Sequence, residues 1–162
     1  MRNGTLGRVT DIRLPLGGLK FSVRVAVLCV RAGRLLVNAQ HHQHFAFVPG
    51  GALATGEDVY ACAEREWREE TGTPPGPLRL VGIVENFFGP PDARQHEIGF
   101  YFHMDAPPEL PDASFTVLDN AEVFTGWVAL DRVAARPVYP SVVAELLDVP
   151  PGEIRHVLNR EE

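Results

Sequence analysis

The feature that most constrains this 162-residue chain is a helix with its charge and its packing surface on opposite flanks. Residues 58–71, DVYACAEREWREET, read as one helix. Asp58 stands at an acidic start, Gly72 at the expected stop, and Pro74-Pro75 forbids continuation. Glu66, Glu69 and Glu70 recur at i, i+3 and i+4, so three carboxylates project from one face. Val59, Ala63 and Trp67 recur at i, i+4 and i+8 as a packing stripe on the other flank. One flank must therefore lie on a core, and the acidic face is expected to look into a cleft or into solvent. Three adjacent carboxylates repel one another, and a surface made only for solubility would intersperse Lys or Arg. A hard dication, Mg²⁺ or Mn²⁺, prefers oxygen ligands and gives such a trio a reason. Taken alone, a solvated acidic face explains it equally well.

What surrounds the helix reads mainly as strands. Residues 21–30 and 34–40 form a hairpin about Ala32-Gly33, and residues 45–48 form a short apolar strand running into Pro49-Gly50-Gly51. Further strands are expected at 78–88, 96–104 and 124–130. A short last helix is expected at 141–147, with Ser141 as its N-cap. Strands flanked by helices suggest a layered α/β domain on a mixed sheet. The length is that of one domain, and no linker or internal repeat interrupts it.

The formal net charge is −6, the wrong sign for a surface that neutralises a phosphate polymer, so binding to a nucleic acid polymer is not expected. No stretch is apolar enough for a signal peptide or a membrane span. Cys29 and Cys62 form no CxxC motif and no disulfide framework, which suits a reducing compartment. The expectation is a cytoplasmic protein without a membrane partner.

The spacing around the acidic trio is more specific than the trio. Gly51 is followed after five residues by Glu57, after seven more by Arg65-Glu66, then by Glu69-Glu70 and Gly72. This resembles the Nudix hydrolase signature G-x5-E-x7-R-E-U-x-E-E-x-G-U, in which U is a bulky apolar residue. All seven fixed positions of this Nudix box, Gly51–Thr73, match. Trp67 is bulkier than the usual aliphatic residue and Thr73 less apolar, and neither position carries chemistry.

The resemblance implies a single Nudix domain over residues 1–162, residues 1–19 being an N-terminal extension. It implies an α/β/α sandwich around a central mixed β-sheet. The implied activity is Mg²⁺-dependent hydrolysis of the pyrophosphate bond in a nucleoside diphosphate linked to another moiety, with Mn²⁺ able to substitute. Glu66, Glu69 and Glu70 resemble the family's metal ligands, Glu66 and Glu70 foremost, and Gly50 resembles the residue whose carbonyl joins them. Glu57 and Arg65 resemble a structural pair that braces the loop against the helix. The alternative is a catalytically silent module that senses a nucleotide, although such modules often lose a box glutamate and this chain has lost none. The implied partner is a small nucleotide substrate. Many relatives dimerise, but nothing in this sequence demands a homodimer.

Outside the box, residues 97–103 alternate, with Ile98, Phe100 and Phe102 expected on the core face and Glu97, Gly99, Tyr101 and His103 on the other. Glu97 is thus a candidate base or extra ligand. Glu122 stands where some family members carry a catalytic acid. Each of these carboxylates could equally pair with an arginine at the surface. Arg24, on an otherwise apolar strand, is a candidate for a substrate phosphate, and Phe47 and Tyr101 for stacking on a base. His41, His42 and His44 fit a pocket rim better than a metal site.

Overall fold

The computed structural model describes residues 9–161. The first eight residues of the expected N-terminal extension lie outside them. Among the described residues are ten strands in one curled sheet. In chain order they are β1 (Arg13–Leu16), β2 (Leu19–Arg31), β3 (Arg34–Gln40), β4 (Ala46–Phe47) and β5 (Gly50–Ala52), followed by helix α1 (Val59–Thr71). Then come β6 (Arg79–Phe88), β7 (Gln95–Asp105), β8 (Val123–Ala129), a 3₁₀ helix (Leu130–Ala135), β9 (Val138–Tyr139), α2 (Val143–Leu146) and β10 (Arg155–Arg160). The sheet runs β10-β6-β7-β2-β3-β4-β9, with β1 and β5 also on β2 and β8 on β3. Pairing is mixed: β2 is parallel to β7 and β10 to β6, whereas β6–β7 and β3–β8 are antiparallel.

This is the expected α/β/α layering about a mixed sheet, and β2 shows how it is made. Its Val25, Val27 and Cys29 pack with Cys62, Ala63 and Trp67 of α1. Its Ala26 and Leu28 pack on the opposite face with Val143 and Leu146 of α2 and Val133 of the 3₁₀ helix. Both faces of the central strands are therefore covered, as near-continuous apolar runs require.

Two expectations are corrected, the first by this double coverage. Tyr101 sits on the face expected to be polar yet is only 1% exposed, in the core on the α2 side. The alternation in β7 separates two cores, not core from solvent. Ser141 does not cap α2, whose N-cap is Val142 without a side-chain bond. The Ser141 hydroxyl instead points to Asn159 and Glu161. Strands β1, β5, β9 and β10 are additions to those expected from the sequence, and the first three have four residues or fewer. No helix among the described residues is long and apolar enough to cross a membrane.

Helix α1 begins and ends as its sequence dictates. The Asp58 side chain accepts from the Ala61 amide at 2.9 Å, and Gly72 closes the helix in the left-handed region at φ 69°. Trp67 is 1% exposed and donates from Nε1 to Thr73 Oγ1 at 3.2 Å. Trp67→Ala is expected to destabilise the fold by about 3–5 kcal/mol, because the vacated volume lies between helix and sheet. Urea denaturation monitored by far-UV circular dichroism measures this.

Candidate active site

The chain makes a tight turn of approach at Pro49-Gly50-Gly51. Strand β5 pairs with β2 in the register Arg24↔Ala52, Val25↔Gly51, Ala26↔Gly50. A Cβ on Gly50 would collide with the Val25 carbonyl oxygen, and one on Gly51 with the Glu66 carboxylate. Glycine is thus required at both places, first to seat the strand and then to admit a carboxylate.

Arg65 knits the box together. Its guanidinium donates to Glu57 through Nε at 2.7 Å and Nη2 at 2.9 Å, a two-pronged pair. Glu57 Oε2 also accepts from the Ala54 amide at 3.1 Å, which fixes the loop to the helix. These bonds hold the Glu57 carboxyl down at about 2, from an ordinary 4.5, with the Arg65 hydrogen bond as the main cause. Loop and helix are thus joined by one ion pair. Arg65 Nη1 reaches further, to Glu66 at 2.8 Å and to Glu69 at 3.3 Å.

The trio divides by burial. Glu69 is exposed, Glu66 half-buried, and Glu70 only 7% exposed. The acidic face is therefore not uniformly open, because β3 and the Pro49–Gly51 turn close over its last member. Glu70 Oε2 accepts from Asn38 Nδ2 at 3.2 Å and Oε1 from the Gly50 amide at 3.3 Å. Burial pushes its carboxyl up to about 7, against the lowering effect of those two bonds and of Arg24. Burial also raises Glu66, with Arg65 opposing.

Carboxylate oxygens of Glu66, Glu69 and Asp119 lie within 4.8 Å of one another. Asp119 lies outside the Nudix box. Its loop is fastened to the end of α1 by the Leu118 amide, which donates to the Glu70 carbonyl at 3.0 Å, and is closed by Val117–Val123 and Asn120–Val117 backbone bonds. No local motif marks it, since a lone Asp in a loop carries no spacing signal. Gly50, Glu66, Glu70, Asn38 and Asp119 line one cleft of about 270 Å³. The donor set is all oxygen, and buried Asn38 Oδ1 adds one without a partner among the described residues. Such a set fits a hard divalent cation rather than a thiophilic or imidazole-seeking one.

A second cavity, of about 420 Å³, adjoins this cleft, and Phe47 lines both. Arg24, Phe47 and Tyr101, the three candidates for substrate contact, line it together. The Arg24 Nη2 donates to the Val48 carbonyl at 3.1 Å, and its charge acts on both Tyr101 and Glu70. Glu97 also faces this larger cavity, accepting from Ser22 Oγ at 3.3 Å, and does not line the acidic cleft. As a candidate base or extra ligand it would have to stand beside the trio, but it shares the face of β7 that carries Tyr101, on the α2 side of the sheet. Glu122 is exposed, lines neither cavity, and has its backbone amide on Asn120 Oδ1. The residue that the loop brings to the cleft is Asp119, three positions earlier. His41 stacks on Phe124, and His44 lines a separate hollow beside β8.

A NUDIX domain model matches residues 20–147. The chain belongs to the NUDIX family. It is a Nudix hydrolase, with its box at Gly51–Thr73 on the loop and helix just described. Solved structures share the fold at low identity. The MutT protein of Bacillus halodurans superposes with a TM-score of 0.66 at 17% identity, covering 85% of this chain and 89% of its own. The MutT NUDIX hydrolase of Burkholderia pseudomallei gives 0.64 at 22%, covering 80% and 98%. The MutT protein of Methanosarcina mazei gives 0.59 at 18%, covering 83% and 94%.

The Nudix box pair carries a pH signature. A carboxyl held at about 2 contributes stability that is complete above its unfolded value of 4.5 and is lost as pH falls toward 2. Glu57→Gln is expected to cost roughly 1.5–3 kcal/mol at pH 7, the scale of a charge-assisted bond. It should also flatten the acid loss of stability below pH 4.5. Chemical denaturation of both proteins from pH 7 to pH 2.5 checks the two effects together.

Proposed function

We propose that this Nudix hydrolase splits the pyrophosphate bond of a nucleoside diphosphate linked to another moiety, using Mg²⁺ or, in its place, Mn²⁺. The observation that carries the reading is the grouping of Glu66, Glu69 and Asp119 oxygens within 4.8 Å. Those three carboxylates, with Glu70 and the Gly50 carbonyl at the same cleft, would hold the cation. When bound, the cation neutralises diphosphate oxygens and makes coordinated water more acidic.

The protein's own groups do the rest. Arg65 keeps Glu66 and Glu69 side by side, offsetting their mutual repulsion before any ligand arrives. Asn38 and the Gly50 amide fix the Glu70 carboxylate in one orientation, so that it would meet the cation in a single pose. Arg24, between the two cavities, would pair with a substrate phosphate. Phe47 and Tyr101 would bound the nucleoside in the larger cavity. In-line displacement at phosphorus needs positioning and charge compensation more than covalent chemistry. A cytoplasmic setting suits the two free, buried cysteines.

Glu70→Gln and Asp119→Asn are nearly isosteric and test the site. Against nucleoside triphosphates, nucleotide sugars, ADP-ribose, NADH and dinucleoside polyphosphates with Mg²⁺, wild type is expected to release phosphate-bearing products from at least one. Each variant should lose about 10²-fold or more in kcat for that substrate, with its circular dichroism spectrum unchanged. Wild type that binds nucleotides without turning any over would instead be the silent sensing module.

A further inference from the structure

One register row of the sheet is polar across four neighbouring strands. Asn159 of β10 faces Asn86 of β6, Asn86 faces Glu97 of β7, and Glu97 faces Ser22 of β2. Asn159, Asn86 and Ser22 are 7%, 6% and 8% exposed. On the same sheet face Val84, Tyr101, Ala26 and Leu28 continue as core. An apolar row would fill this position at less cost, because a buried polar group needs a partner.

The row satisfies itself only in part. Asn159 Nδ2 donates to Asn86 Oδ1 at 2.7 Å and to Glu161 Oε1 at 3.1 Å. Two acceptors on one amide nitrogen fix the orientation of Asn159, and so leave the Asn86 nitrogen facing away. Ser22 Oγ occupies Glu97 Oε2, and the Ser141 amide adds a bond to Glu161 Oε1. Four groups remain without a hydrogen bond among the described residues: Glu97 Oε1, Glu161 Oε2, Asn86 Nδ2 and the Tyr101 hydroxyl. All four residues line the 420 Å³ cavity. Tyr101 is 1% exposed, and its ring lies over Gly99, where a Cβ would come within 2.7 Å of it. Above this polar floor stand aromatic walls, with Phe45 and Tyr139 edge to face at 5.3 Å and Phe47 and Phe88 beside them. Aromatic walls accept a planar ring of any identity, so the floor must do the choosing.

We propose that this cavity selects its heterocycle by the edge it presents, and that the matching edge is the amino-oxo edge of guanine. The proposal rests on the reading that the substrate is a nucleotide. Two carboxylate oxygens seek N–H donors, and an amide and a hydroxyl seek an acceptor. Guanine presents N1–H and the 2-amino group beside O6. Hypoxanthine lacks the amine, adenine offers a single donor group beside an acceptor, and uracil places one N–H between two carbonyls. A site built to pair with an N–H discriminates against the analogue without it, since the bound ring then shuts its own acceptor off from water with no partner.

The test is calorimetric titration of GMP and IMP, with AMP and UMP, into the full chain in the presence of chelator. Wild type, Glu97→Gln and Glu161→Gln are compared, with circular dichroism as the check on folding. GMP is expected to bind about tenfold or more tighter than IMP, the scale of one hydrogen bond to a charged group. That ratio should fall toward one in either variant. Equal binding of GMP and IMP, tighter binding of AMP or UMP, no binding of any of them, or a ratio untouched by both variants would overturn the proposal. Because the titration needs neither metal nor turnover, it can fail while the pyrophosphohydrolase reading stands. Conversely, a GMP preference in a chain that hydrolyses nothing sinks only that reading.

Discussion

Carboxylates gathered within a few ångströms repel one another unless positive charge lies among them, and in this chain Arg65 supplies it. One guanidinium holds Glu57 of the loop with two prongs and touches Glu66 and Glu69 on its own helix. Loop and helix therefore form one unit, and the acidic cleft has a wall before a ligand enters it. The glycines before the helix complete the arrangement, since only bare backbone lets the Glu66 carboxylate lie against Gly51. Glu70, turned inward, is held by Asn38 on β3 and by Gly50, so the sheet and the turn share in placing it.

The sheet makes two unlike cavities next to each other. One is small and lined by carboxylates, and the other is larger, with aromatic walls and a buried polar row for a floor. Phe47 and Arg24 connect them, the first by lining both and the second by its charge on Glu70. A nucleotide has the same division, with a charged phosphate end and a flat heterocyclic end. The division of labour follows from the fold, since α1 covers one face of the sheet and α2 the other.

How much of this was legible in the sequence depends on how local the cause is. Helix α1 was legible because its cap, its stop glycine and its stripe all lie within the segment. The Glu57–Arg65 brace was legible only through the resemblance of the segment to the Nudix box, which implies such a pair. Glu97 was placed correctly on the face of Tyr101 by its strand period, but period alone does not say which layer covers that face. Asp119 was not legible, since its position depends on a loop bonded to the far end of α1. Strand β10 brings Asn159 against Asn86 by pairing with β6, 73 residues away in sequence, and Glu161 just after it to the larger cavity, which no short window reveals.

The central claim is that Glu66, Glu69, Glu70 and Asp119 form a seat for a hard divalent cation. Anomalous diffraction from crystals soaked in Mn²⁺ tests it most directly. The account predicts a strong peak within about 2.0–2.2 Å of oxygens from at least two of these carboxylates, the range of octahedral oxygen ligation. A map without a peak there, with Arg65 still clasping Glu66 and Glu69, would contradict it.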